Sequence, residues 1–513
     1  MSRNEGAWGG AISPTFLLMA GRGVGFAATF FIPVVLARTF DQETFGTYRQ
    51  LFLIFSTLYF IAQFGMAESL FYFVPEAKEN AGRFVSNALV FLGVSGCLCG
   101  GLLHLTRGTV ARWLHNPALA ADLPLLGVFL VLMLASAQLE MALTARRRYF
   151  GASLSYGLSD LGRAVMFLVP AVVTRRLEAL LLGGVLFAVI RLVATLRYFG
   201  REFPGSLRPD RALLRRQLAY ALPFGAAVLV DIVQMNLHQY AVAWWFPATT
   251  FAVYSVGCLQ IPIVDLVAGP AGNVLMVSMS ERRAAADRDG LLRLWTETTG
   301  HLAAFFLPLT VGLLVLSRDL IVVLFTDRYA ASVPIFMIWA LSMLFAALQT
   351  DAVLRVFAQT RFLLLLNSVR MVLLLGTIGW FLSTFGPRGA VLVTLLGMLT
   401  AKILALGRIR ALLRVDLRRL LPWRALGMNV LVAGAAAVPA LLIRSASGVP
   451  LLPRLLLTGL TYATACLALR TLLPRWASAS SGGPDERAVG DKKFPGVPLF
   501  GEAGRRAGEE GKA

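Results

Sequence analysis

The sequence predicts an all-α polytopic membrane protein with about fourteen transmembrane helices: two six-helix bundles related by a pseudo-twofold axis along the membrane normal, plus two C-terminal helices. Three observations carry this expectation. Apolar stretches of roughly 18 to 25 residues recur from Ile12 to near Leu473, and about 20 apolar residues cross a bilayer core as one helix. The 513 residues are 57% hydrophobic and 15% charged, with a mean hydropathy of +0.70, where ordinary soluble chains carry about 25% charge. A shift of 206 residues lays Phe40, Thr44, Phe45 and Tyr48 onto Phe246, Thr250, Phe251 and Tyr254, each set at the turn after a long first helix.

Taken in order, the N-terminal six-helix bundle fills residues 1-200, with spans near 12-37, 47-74, 84-106, 123-144, 151-173 and 178-198. The first apolar segment is full length and lacks a small-residue cleavage pattern, so it is expected to stay in place as a span. A cytoplasmic linker, 201-217, is rich in arginine, and residues 209-220 are expected to start an interfacial helix leading into the seventh span. The C-terminal six-helix bundle, 218-410, holds spans near 218-245, 252-279, 299-317, 333-353, 362-384 and 388-407. Two accessory transmembrane helices, near 427-443 and 453-473, occupy 411-473. Ser, Gly, Pro and mixed charge then take over, and 474-513 is expected to be a disordered cytoplasmic tail.

The net charge of +20 would suggest nucleic acid in a soluble chain; in a membrane protein its placement matters more, and no nucleic-acid partner is expected. About 32 of the 48 Arg and Lys fall in alternate loops and both tails, against about 11 in the other loops. The clusters Arg146-Arg147-Arg148, Arg211 with Arg215-Arg216, Arg282-Arg283, and Arg408, Arg410, Arg414, Arg418, Arg419 all lie on that side. Positive charge stays inside, so both termini are assigned to the cytoplasm. Cys97, Cys99, Cys258 and Cys466 lie within spans, where packing is the expected role and neither a disulfide framework nor a metal site is.

Several motifs stand along this frame. Pro33 to Glu76 reads PVVLARTFDQETFGTYRQLFLIFSTLYFIAQFGMAESLFYFVPE, with Leu36-Ala37-Arg38, the turn Phe45-Gly46-x-Tyr48, Phe64-Gly65, Ser69-Leu70 and Val74-Pro75-Glu76. Further along come Leu222-Pro223, Val253-Tyr254-Ser255-Val256, Leu324-Phe325 with Tyr329, and Phe385-Gly386-x-x-Gly389-Ala390. Over about 400 residues this resembles the bacterial polysaccharide or O-antigen flippases (Wzx-like) of the multidrug/oligosaccharidyl-lipid/polysaccharide exporter superfamily. One departure concerns the second half of the seventh span, where His238-Gln239 stands at a place many relatives give to an acidic residue.

An ionisable side chain at mid-bilayer costs about 2.5 to 3.5 kcal/mol on insertion scales, so each should face a cavity or a partner. In the first half these are Arg22, Glu68, Glu140, Asp160, Arg163 and Arg191; in the second, Asp231, His238, Asp265, Asp351, Arg355, Arg370 and Lys402. Arg22, deep in the first span and flanked by Gly21 and Gly23, is the leading candidate for a substrate contact, and Arg370 the second. A planar guanidinium can hold two phosphate oxygens at once. Arg163 stands three residues after Asp160 and reads as a structural pair or a cavity cation. Arg191 and Lys402 lie near helix ends and either snorkel or line the cavity. Glu68 and Glu140 are water-facing carboxylates or cavity groups. Asp231, Asp265, Glu68 and His238 are candidates for coupling to a cation gradient, with a hydrogen-bonded structural role as the alternative for His238. The glycines 21, 23 and 25 read first as helix packing. Pro33, Pro223, Pro262 and Pro270 read as flexure points.

The resemblance implies a flippase that translocates a polyprenyl-diphosphate-linked oligosaccharide across the bacterial cytoplasmic (inner) membrane by alternating access, for cell-surface polysaccharide such as lipopolysaccharide. It further implies membrane lipids and the polysaccharide polymerase machinery as partners. No cofactor is expected beyond a coupling cation, H+ or Na+. A drug or cation antiporter, or a peptidoglycan-precursor flippase, of the same superfamily is the alternative. An enzyme is disfavoured: the outer loops are short, the longest near 107-122, with no paired carboxylates or metal spacing, and there is no GxxxxGK[ST] sequence.

Overall fold

The computed structural model describes the backbone over residues 14–77, 79–445 and 448–480, and most side chains between Gly23 and Leu472. Among these residues there is no strand. The helices are α1 (Pro14–Thr39), α2 (Gln42–Gln63), α3 (Leu70–Glu76), α4 (Ala81–Trp113), α5 (Leu119–Ala135), α6 (Leu139–Ala145), α7 (Tyr149–Thr174) and α8 (Leu177–Glu202) in the first half. The second half contains α9 (Arg211–Trp245), α10 (Ala248–Gly257), α11 (Pro262–Ala284), α12 (Arg288–Phe325), α13 (Val333–Ala340), α14 (Thr350–Val356), α15 (Thr360–Phe385) and α16 (Pro387–Leu413). After the short α17 (Leu417–Leu420) come α18 (Trp423–Ser445) and α19 (Leu451–Ser480).

Twelve of the described segments are long and apolar enough to cross a membrane. The described stretch Ala28–Thr39 of α1 adds a shorter apolar helix, and α2 lies where the sequence places the second span. Polar groups of α2 turn inward: Gln50 is buried and its Oε1 accepts from Asn116 Nδ2 at 2.7 Å.

Sequence explains where helices begin. Asp41 caps α2, its Oδ1 accepting from Thr44 N at 2.8 Å. Asp210 caps α9 through Ala212 N (2.9 Å) and Leu213 N (3.1 Å), and Asp287 caps α12 through Gly290 N (2.8 Å). Each such cap stabilises its helix by about 1 kcal/mol. The Leu213 N–H, with the Ala212 N–H and the Arg83 guanidinium, holds the Asp210 carboxyl below the ordinary aspartate range. The α15–α16 turn needs glycine, because Gly386 has φ 61° and ψ −148°, and Pro387 then opens α16. Pro33, Pro223 and Pro270 lie inside α1, α9 and α11, whereas Pro262 starts α11, where a missing N–H removes no helix bond.

The internal repeat extends to the helix boundaries. Shifted by 206, the end of α1 at Thr39 falls on the end of α9 at Trp245, and the start of α2 at Gln42 on the start of α10 at Ala248. The helix α12 has 38 residues where α4 has 33, and beyond it the register becomes 211. At that shift α6 maps onto α14 and α7 onto α15, residue for residue at both ends. The second and fourth spans of each half are broken, between α2 and α3, α5 and α6, α10 and α11, and α13 and α14. No break is visible in the apolar rhythm of the sequence, since the polar residues at the breaks, Glu68, Gln138, Gln260 and Gln349, are single ones within otherwise apolar stretches.

The hairpin α18–α19 docks on α12. Arg454 makes a two-armed ion pair with Asp319, which is 1% exposed, at 2.8 and 3.2 Å, and Tyr462 donates to the Pro308 carbonyl at 2.8 Å. Helix α19 runs on to Ser480; the remainder of the expected tail lies outside the described residues.

Candidate functional site

One end of the molecule carries the arginine clusters around the α6–α7, α8–α9 and α11–α12 turns; the opposite end carries the loop between α1 and α2. At this opposite end the two halves share a single apolar core, in which Phe45, Phe55 and Phe129 of the first half join Phe251, Phe325 and Tyr329 of the second. Towards the arginine-rich end the second half has a separate core around Trp295, Met279, Leu354 and Ile409. The halves therefore share one core at one end and have separate cores at the other.

The fused end is where the sequence motifs meet. Arg38 donates through Nε to the Leu324 carbonyl at 2.8 Å and through Nη2 to the Val323 carbonyl, closing the C-terminus of α12 from across the molecule. Cations are favoured at that helix end. Gln42 donates to the Arg328 carbonyl at 2.5 Å, and the rings of Phe45 and Tyr329 meet edge to face at 5.6 Å. Gly46 crosses α10 so closely that a Cβ there would lie 2.0 Å from the Ala248 carbonyl oxygen.

Two seams continue from this seal towards the arginine-rich end. Along one, α9 runs antiparallel to α2 and α3 for their whole length: Asn236 to Thr57 (3.0 Å), Gly225 against the Phe64 backbone, Gln217 to Ser69 (2.8 Å), Tyr220 stacked on Tyr72 (5.0 Å) and Arg216 to Glu76 (3.2 Å). The repeat-related seam would join α11 to α1, and no comparable packing of these two helices occurs among the described residues.

Each half holds a cation that braces its broken fourth span. In the first half, Arg191 of α8 reaches the α5–α6 break: it pairs with Glu140 at 2.8 Å and donates to Ser136 Oγ (3.2 Å) and to Ser159 Oγ. Glu140 also accepts from Ser155 at 2.9 Å, and the two charged side chains are 10% and 3% exposed. In the second half, Lys402 of α16 reaches the α13–α14 break, donating to the Leu348 carbonyl and Thr350 Oγ1, both at 2.9 Å, with Asp351 at 3.9 Å. The register of 211 carries Glu140 onto Asp351, Arg191 onto Lys402 and Ser159 onto Arg370. The same device thus occurs twice, once closed and dry and once loose.

Asp351 is 65% exposed, Asp231 is exposed, and Arg370 is partly so, its Cγ resting near Gly397. Arg370 makes no hydrogen bond or ion pair among the described residues, while Asp231, Asp351, Lys402 and His238 all lie within its electrostatic reach. Charges cannot face hydrocarbon at mid-span without a large cost, so these groups need one another, water or a ligand.

The remaining candidates are distributed as follows. Arg163 pairs with Asp160 at 2.8 Å and donates to Thr29 of α1 at 3.1 Å; Gly25 makes room for the Asp160 carboxylate, since a Cβ there would lie 2.0 Å from Oδ2. His238 is 3% exposed, with Nδ1 2.6 Å from the fully buried Tyr254 hydroxyl and its ring 5.4 Å from Trp339. Glu68 lies at the α2–α3 break with its buried Oε2 unpartnered among the described residues. Arg22 is on α1 and Asp265 on α11, and their side chains lie outside the described residues. Helix position alone had suggested snorkelling for Arg191 and Lys402 and water for Glu140; the span breaks, which bring loop carbonyls and hydroxyls within reach, explain the difference.

Arg38, Gln42 and Gln217 were not singled out as functional by sequence reasoning. Only the motifs around them marked the place.

A family described as polysaccharide biosynthesis protein matches residues 35–334. The chain is similar to a solved lipid II flippase, MurJ, in an inward closed conformation, at 13% identity and TM-score 0.68 over 88% of this chain and 99% of that one. It is similar also to a multidrug resistance MATE family transporter in an inward-facing conformation (15% identity, TM-score 0.56, 78% and 96%) and to a transporter from Pyrococcus furiosus (14%, 0.50, 78% and 95%). No curated protein matches. The solved folds are those of transporters and flippases, not of enzymes. With more than half of its length matched, and with the same broken second and fourth spans in each half, this multi-pass membrane chain belongs to the polysaccharide biosynthesis family and has the fold of the multidrug/oligosaccharidyl-lipid/polysaccharide exporter superfamily.

Proposed function

We propose that this protein flips a polyprenyl-diphosphate-linked oligosaccharide across the cytoplasmic membrane by alternating access, with the arginine-rich end and both termini in the cytoplasm. The observation that carries this reading is Arg370: a guanidinium deep in a span that makes no hydrogen bond or ion pair among the described residues, with Asp231, Asp351 and Lys402 within its electrostatic reach. A diphosphate supplies what it lacks, accepting two parallel N–H bonds. The lipid tail remains in hydrocarbon while the charged headgroup enters between the halves. Lys402, held by the Leu348 carbonyl, adds positive charge, and Arg22 of α1, whose side chain lies outside the described residues, is the further phosphate ligand this reading assigns.

Direction requires a ligand that prefers one state over the other. Glu68 and Asp231 are the groups we assign to a coupling proton or sodium ion. A carboxylate oxygen sealed from water without a donor is costly unless protonated or ion-bound, and Glu68 Oε2 is in that position. His238 is assigned a structural role on account of its tyrosine bond.

Purified protein in vesicles, given a fluorescent polyprenyl-diphosphate glycan or a cationic drug, tests the reading. Translocation of the glycan, slowed by Arg370→Ala, is expected. Drug transport without glycan translocation would replace it with the antiporter reading.

A further inference from the structure

The last turn of α16 and the turn into α17 hold a site that the transport pathway does not use. Helix α16 ends in a left-handed cap at Arg414 (φ 56°), whose N–H bonds the Arg410 carbonyl. Arg410 and Arg414, four residues apart, therefore share one face of the final turn. The chain reverses, Asp416 precedes the four-residue α17, and Arg419 is brought back towards that face. Between them lies a cavity of about 550 Å³ lined by Gly407, Arg410, Arg414, Val415, Asp416 and Arg419.

The arginines here differ from many others at this end. Arg83 is tied to Asp210, Arg146 and Arg148 to Glu202, Arg216 to Glu76, Arg282 to Asp287 and Arg408 to Gln359. Arg410, Arg414 and Arg419 have no hydrogen bond or ion pair from their side chains among the described residues, and all three are exposed. Asp416, the one carboxylate lining the cavity, also forms no ion pair. Three guanidiniums against one carboxylate leave two positive charges gathered around a concave space. Next to it, Leu417 and Trp423 are 49% and 53% exposed, and the Trp423 indole donates to the Leu417 carbonyl at 3.3 Å. An exposed tryptophan beside exposed leucine marks the headgroup level of a bilayer.

We infer that this cavity binds the phosphate of an anionic headgroup, held by paired guanidinium bonds from Arg410, Arg414 and Arg419, on the hinge between the second bundle and the α18–α19 hairpin. The chemistry needed is a phosphate bearing one or two charges. It can come from an anionic phospholipid or from a soluble phosphate compound. This inference does not rest on the transported substrate.

The test is binding to the purified full-length protein, read by native mass spectrometry with short-chain phosphatidylglycerol, phosphatidylcholine or inorganic pyrophosphate. Phosphatidylglycerol is expected to bind in preference to phosphatidylcholine, and the triple variant Arg410→Gln, Arg414→Gln, Arg419→Gln to weaken it about tenfold. The same loss seen with pyrophosphate alone supports the site and assigns it to a soluble ligand. A triple Arg→Lys variant keeps the charge but not the planar fork and is expected to bind several-fold more weakly. Unchanged affinity in both triple variants would overturn the inference. So would an equal loss on replacing Arg211 and Arg215, exposed arginines at the same end of the molecule, because the effect would then be net charge and not this cavity.

Discussion

Replacing Gly46 by alanine should drive the seal at the fused end apart. A Cβ at this position would lie 2.0 Å from the Ala248 carbonyl oxygen and 2.6 Å from its carbonyl carbon, both backbone atoms of α10 that cannot rotate away. Ordinary contacts need about 3.4 Å, so α2 and α10 must separate by on the order of 1 Å, and overpacking of this kind costs about 1 to 3 kcal/mol. The strain exists only while the seal is closed. The substitution therefore destabilises that state against the one in which the bundles rock open, by a factor of about 5 to 150. The assay is labelling of a single cysteine at Thr249, on α10 beside the crossing, by a membrane-impermeant thiol reagent, with the four native cysteines replaced. The expected result is labelling at least several-fold faster in the alanine variant. Equal rates in two folded proteins would refute the reasoning, because the crossing would then not change between states.

Three further outcomes follow from the geometry. Glu140→Leu strands the Arg191 guanidinium in dry protein with only serine partners and should cost about 3 to 5 kcal/mol, while Glu140→Leu with Arg191→Met should recover most of it; thermal unfolding of both variants decides. Because backbone donors, Leu213 N–H first, and Arg83 hold Asp210 below its ordinary value of 3.8, its cap is in force above that value and is lost as pH falls through the lowered one; Asp210→Asn should flatten the acid limb of a pH series of melting temperatures. Glu68→Gln should remove the dependence of flipping on an imposed proton gradient while leaving downhill exchange; an unchanged gradient dependence would remove Glu68 from coupling.

Much of the frame was legible in sequence. Span number, the twofold repeat and the Asp160–Arg163 pair follow from hydropathy and from spacing within one helix. The breaks in the second and fourth spans did not, since Phe64-Gly65 and Ser136-Ala137-Gln138 interrupt the helix without interrupting the apolar run. The braces depend on those breaks. Glu140 and Arg191 lie on different spans 51 residues apart, and nothing local signals their meeting. The second register of 211 emerges only once α12 is seen to be longer than α4, after which Lys402 and Asp351 can be recognised as the counterparts of Arg191 and Glu140. The motifs around Arg38, Phe45 and Tyr329 were visible as separate strings; that they form one seal is a property of the fold.

Transport as proposed depends on Arg370 holding the substrate's diphosphate. The initial rate at which vesicles carrying the protein flip a polyprenyl-diphosphate-linked glycan tests this most directly, with Arg370→Ala compared against the wild type at equal protein content. Charge-assisted bonds to phosphate contribute about 1.5 to 3 kcal/mol, so the rate should fall by about ten- to 150-fold. A wild-type rate in the Arg370→Ala protein would contradict the account.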